Sequence, residues 1–173
     1  MARIPEAYKP VYREIMTTLQ RKYNHMTEVC RLTAEIEGAL QRDDRVSTQM
    51  LIEMRQVEIE GLQQSDKALQ LLIESTPEDM RQWLNKAVSG TVSQDEAYDT
   101  EENLILRVAG NIRGEWEKTV RIDRHVNQRL AGADSFYQGQ PEAKSRIDEY
   151  RIDRMPTRPA ANMQLSGRLF LTG

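Results

Sequence analysis

A chain of 173 residues is long enough to bury one hydrophobic core without disulfides or a structural metal, and needs no second domain. Charged residues make up 29% of it, hydrophobic ones 39% and aromatic ones only 6%, a balance that suits long solvated helices. The net charge of −3 supplies no general field for phosphate backbones or anionic membranes, so neither is an expected partner.

The N-terminal stretch MARIPEAYKPVYREIM places charges before any apolar run, so neither a secretory signal nor a transmembrane span is expected, and the chain reads as cytoplasmic. Pro5 and Pro10 disfavour helix just before them. A first helix is therefore predicted from about Pro10 to Leu40. Tyr12, Ile15, Leu19, Met26, Val29, Ile36 and Leu40 fall at a/d heptad spacing, interrupted by Lys22 and Thr33, while Met16, Tyr23 and Cys30 widen the stripe. Cys30 inside this pattern reads as a core thiol.

A short acidic break at Asp43-Asp44 supplies an N-cap for a second helix running to about Leu72. Met50, Met54, Val57, Gly61, Ser65, Ala68 and Leu72 recur in steps of three and four and are expected to form its packing face. Met50 and Met54 fit an intramolecular core and a partner groove equally well. So short a link favours an antiparallel hairpin, a rod about 45 Å long at roughly 1.5 Å per residue.

Thr76-Pro77-Glu78-Asp79 reads as N-cap, first-turn proline and acidic first turn of a shorter third helix ending near Val88. Its apolar face is Met80, Trp83, Leu84 and Ala87, and Gly90 is placed for a left-handed C-cap. A fourth helix is predicted from about Thr100 to Ala131, with Ile105, Val108, Ala109, Ile112, Trp116, Val120, Val126 and Leu130 on one face. Acidic residues gather at its start, Arg121, Arg124 and Arg129 near its end, and Gly132 is expected to stop it. Gly110 and Gly114 predict a close contact or a bend. The expected fold is an all-α, elongated antiparallel bundle over 1–132, with three long helices and one short one. An irregular tail over 133–173 follows, with room for a short helix at 141–154. Leu165, Leu169, Phe170 and Leu171 in that tail lack periodic partners, and could fold back over an empty groove.

No Walker loop, GxGxxG, CxxC or HExxH is present, and neither His25 nor His125 has a glutamate three residues before it, as bundle di-iron sites require. Carboxylates are too abundant on the polar faces for any pair to stand out. No catalytic residue, metal or cofactor is expected, and the chain does not read as an enzyme.

A first helix containing Leu32-Thr33-Ala34-Glu35-Ile36, the break at Asp43-Asp44, then Leu51 to Ile59 and Leu62-Gln63-Gln64-Ser65-Asp66, resembles the bacterial flagellar export chaperones of the FlgN/FliT type. Ile52, Arg55, Gln56 and Ile59 to Leu62 approximate the run that the family carries on its second helix. The resemblance implies a small helical protein, monomer or homodimer, that holds the C-terminal helical segment of a hook-associated or filament-cap protein before export. It implies a client surface on the fourth helix at Ile105, Val108, Ile112, Trp116 and Val120, and contact with the export apparatus through Tyr137. The alternative is a self-associating coiled-coil protein with no client.

Overall fold

Pro10 stands in the first turn of helix α1 (Lys9–Gln41), where its missing N–H costs no hydrogen bond. In the computed structural model of the chain, which describes residues 4–137 and side chains as far as Leu130, α1 is followed by α2 (Arg45–Glu74), α3 (Glu78–Val88) and α4 (Thr100–Tyr137). Short 3₁₀ turns at Glu6–Tyr8 and Gln94–Glu96 precede α1 and α4. The described residues form helices and turns only, as the sequence led one to expect.

The link between α1 and α2 explains the hairpin. Asp43 adopts the left-handed φ of 54°, and the N–H groups of Asp43 and Asp44 donate to the carbonyls of Leu40 and Ala39, which closes α1 with a Schellman turn. Asp44 then caps α2 by accepting from the Ser47 N–H at 3.0 Å. Hydrogen bonding from the Ser47 side chain, and then from its backbone N–H, holds the Asp44 carboxyl below the usual carboxylate range. Of the two candidate aspartates, one therefore turns the chain and the other starts the next helix.

Helix α1 packs along α2 on one side and α4 on the other. It runs antiparallel to α2, since Lys22 pairs with Asp66 and His25 with Glu58. It runs parallel to α4, since Tyr12 meets Glu101 and Glu37 meets His125. The result is an up-down-up bundle with α3 packed against α2 and α4. Its larger apolar cluster joins Tyr12, Ile15, Leu19, Met26 and Val29 of α1 to Ile59, Leu62, Leu69 and Ile73 of α2, Met80 and Leu84 of α3, and Ile105 and Ile112 of α4. A smaller one at the hairpin end joins Leu32, Ile36, Ala39, Leu51, Ile52, Val126 and Leu130.

Several details depart from expectation. Thr76 donates to the Ile73 carbonyl at 2.6 Å and so closes α2, leaving Pro77 as the residue that precedes α3. Gly132 does not stop α4, which runs on to Tyr137, so the last turn holds no basic residue and the arginines lie inside the helix. A helix tolerates one glycine at modest cost when its neighbours keep helical φ. The expected helix at 141–154 and the apolar tail residues lie outside the described residues. A side chain at Gly110 or Gly114 would meet nothing within 4 Å, so neither glycine serves a close approach. Gly90 does: its φ is 73°, and a Cβ there would fall 2.5 Å from the Ala109 carbonyl oxygen of α4.

The start of α4 is tied to the start of α1. Asp99 accepts from the Glu102 N–H at 2.8 Å, and the buried Glu102 carboxylate reaches back to the Tyr98 N–H at 2.7 Å. Tyr12, buried beside them, donates its hydroxyl to the Glu101 carbonyl oxygen. Burial, then the charges of Glu101, Asp99 and Glu102, push the Tyr12 phenol well above its ordinary value.

Two predictions follow from these contacts. Gly90→Ala should lower unfolding free energy by about 2 kcal/mol or more, through left-handed strain and overlap, whereas Gly110→Ala should raise it by about 0.5–1 kcal/mol. Urea denaturation of both variants checks the opposite signs. Because the Tyr12 pKa is raised on folding, its contribution is complete below the unfolded value near 10 and is lost as pH rises beyond it. Tyr12→Phe should cost about 1 kcal/mol at neutral pH and should lose less stability than the native chain between neutral and alkaline pH, as followed by thermal melts.

Candidate partner-binding surface

Helix α2 carries two apolar faces, and the structure buries the one that the sequence reading passed over. Its inward residues are Thr48, Leu51, Ile52, Arg55, Ile59, Leu62, Ser65, Leu69 and Ile73. Of the face expected to pack inward, Ser65 is buried, Leu72 packs half-buried against the core and Gly61 lies against the His25 ring of α1. Met50, Met54 and Val57 are instead 53%, 44% and 64% exposed, joined by Val46 at 82%. At 3.6 residues per turn these four lie in one strip on the outer side, along about three turns.

Polar contacts between helices set this rotation. Arg55 and Asp123 are each 1% exposed and pair at 2.8 Å from Nη1 to Oδ1, joining α2 to α4. The same Nη1 donates to Thr33 Oγ1 of α1 at 3.3 Å, Thr33 itself donates to the Val29 carbonyl, and Asn127 Nδ2 donates to Asp123 Oδ2. Thr119 lies fully buried at the same level. Toward the other end Lys22 Nζ pairs with Asp66 Oδ1 at 2.5 Å, and His25 Nδ1 lies 2.6 Å from Glu58 Oε2. The two residues that interrupt the α1 heptads, Lys22 and Thr33, are thus both bridges to α2. Gly61 makes room for one of these contacts, because a Cβ there would come within 2.5 Å of the His25 ring.

The α4 residues singled out as a client surface fall elsewhere. Ile105, Val108 and Ile112 are buried in the larger core cluster, and Trp116 and Val120 pack half-buried against it. In the folded bundle Ile105, Val108 and Ile112 are covered by the chain's own helices, and only the partly exposed sides of Trp116 and Val120 are open to a client. Tyr137 is the last residue of α4, and its side chain lies outside the described set.

Cys30 is buried, and desolvation, reinforced by Glu115 and opposed by a hydrogen bond from Thr119, pushes its thiol above the ordinary range. His125 is exposed, 3.2 Å from Glu37. Among the described residues no group of three or more His, Cys, Asp and Glu is placed to hold a metal ion, and no helix is long and apolar enough to cross a membrane. No protein-family model, characterised protein or solved structure matches the chain.

Removing one member of the buried ion pair strands the other away from water. Asp123→Ala should therefore cost about 3–5 kcal/mol, while the double replacement Arg55→Met with Asp123→Leu should regain most of that loss. Urea denaturation of the single and double variants checks the non-additivity.

Proposed function

We propose that the chain is a non-catalytic helix-binding protein of the flagellar export chaperone kind. Acting in the cytoplasm, it would hold the C-terminal helical segment of a hook-associated or filament-cap protein before export. The observation that carries this reading is the outer strip of α2, where Val46, Met50, Met54 and Val57 leave apolar surface in water along a helix whose opposite side is fully packed. An amphipathic helix laid on such a strip buries its own apolar residues there, which is helix-in-groove recognition. Methionine suits the task, because its flexible thioether adapts to more than one packing partner. The resemblance of Leu51 to Asp66 to the second helix of these chaperones supports the same function, although the client surface it implies lies on α4. Docking to the export apparatus through Tyr137 rests on that resemblance alone.

The rival reading is a self-associating coiled-coil protein, and the same outer strip is what favours it, since two copies could pair there. Calorimetry and circular dichroism with synthetic C-terminal segments of hook-associated and filament-cap proteins separate the two. Saturable binding of one segment with a gain in helix is expected. No binding to any segment, together with a dimer by light scattering, would overturn the chaperone reading in favour of the coiled coil.

A further inference from the structure

Resting on the partner-binding function proposed above, we infer that the outer strip of α2 receives an amphipathic helix edged with lysine or arginine. The charges around the strip carry this inference. From Val46 to Gln64, α2 holds three acids, Glu53, Glu58 and Glu60, and one base, Arg55, whose guanidinium is turned inward onto Asp123. Glu53 and Glu60 are exposed and lie seven residues apart, hence on one edge of the strip. Gln49 and Gln56 hydrogen-bond them at 2.8 and 3.4 Å without neutralising their charge. Glu58, half-buried beside His25, lies toward the other edge. An apolar seam with acid on both sides attracts basic residues that flank an apolar stripe, and repels acidic ones.

The same charges disfavour a second copy. Antiparallel pairing on this strip would set the Glu53 and Glu60 edge against its own counterpart, and parallel pairing would set it against the edge that carries Glu58. Within the chain itself, residues 154–173 hold Arg154, Arg158 and Arg168 and no acid. Pro156 and Pro159 would break a helix there, and only Arg168 lies beyond them. A separate, proline-free basic helix fits the strip better than either.

The test uses the full chain and a fluorescent synthetic amphipathic helix, with leucines at three- and four-residue spacing flanked by lysines, beside a counterpart with glutamates for the lysines. Saturable, salt-sensitive binding of the lysine peptide is expected, at least about tenfold tighter than that of the glutamate peptide. Met50→Gln with Val57→Gln, uncharged changes at exposed helical positions, should weaken it about tenfold or more without altering the melt. Glu53→Gln with Glu60→Gln should lessen both the salt dependence and the discrimination between peptides. No binding, equal binding of the two peptides, or indifference to both double variants would overturn the inference. So would a dimer abolished by Met50→Gln with Val57→Gln, or hydrogen-exchange protection of 160–171 that these changes relieve, since each would give the strip to another occupant. Flagellar segments that bind regardless of these variants would uphold the chaperone function and overturn this site. A lysine peptide that binds at the strip while no flagellar segment binds would do the reverse.

Discussion

The Arg55–Asp123 pair, fully removed from water between three helices, constrains everything around it. Two charges buried together contribute little net stability, because their desolvation offsets much of their attraction, but any arrangement that buries one without the other is strongly penalised. The pair sits at the boundary between the two apolar clusters, level with Thr33, Cys30 and Thr119. A polar layer thus divides one long core, and it fixes both how far α2 slides along α1 and how it is turned. Apolar heptads alone specify neither strictly, since a slide of one heptad would repack similar residues. Lys22–Asp66 and His25–Glu58 repeat the constraint nearer the other end of the hairpin.

Once α2 is turned by that layer, its outer face follows. A helix with Leu51, Ile52, Ile59, Leu62, Leu69 and Ile73 on one side and Val46, Met50, Met54 and Val57 on the other could in principle bury either. The larger aliphatic residues belong to the inner set, and so does Arg55, whose charge finds a partner only there. The bundle therefore places its free apolar surface on the helix that shares almost no backbone contact with α4. Helix α1, packed between two neighbours, has no such face to offer.

Helix positions, the hairpin, the Gly90 turn and the α1 and α4 stripes were legible because periodicity and capping are local properties. The orientation of α2 was not, for a physical reason. Arg55 in the middle of the inner stripe made that face look solvated, while Met50, Met54, Val57 and Gly61 formed an unbroken run free of charge. Its partner Asp123 lies 68 residues away, and no local pattern links the two. The available signal was the residue type on each face, since the inner one carries leucine and isoleucine and the outer one methionine and valine. The partner surface expected on α4 came from the family resemblance and not from periodicity, and its Ile105, Val108 and Ile112 complete the core of the bundle. The end of α4 was missed because a glycine reads as a stop when its neighbours are weakly apolar, although nothing at Gly132 demands a left-handed backbone.

An apolar strip left in water carries a hazard as well as a use, because it can pair with its own copy as readily as with a partner. Here the hazard and the selectivity share one remedy. Glu53, Glu58 and Glu60 along the edges add charge where two copies would meet, which opposes self-pairing. They do so without adding any polar group to the strip itself, so its apolar contact with a suitable helix is undiminished. Arg55 completes the arrangement by being absent from the surface: as the one base in this part of α2, it would cancel the acidic edge if it faced outward. Burying it against Asp123 both orders the core and leaves the outer face acidic, so a single residue's placement links the register of the bundle to the chemistry of the partner proposed for that face.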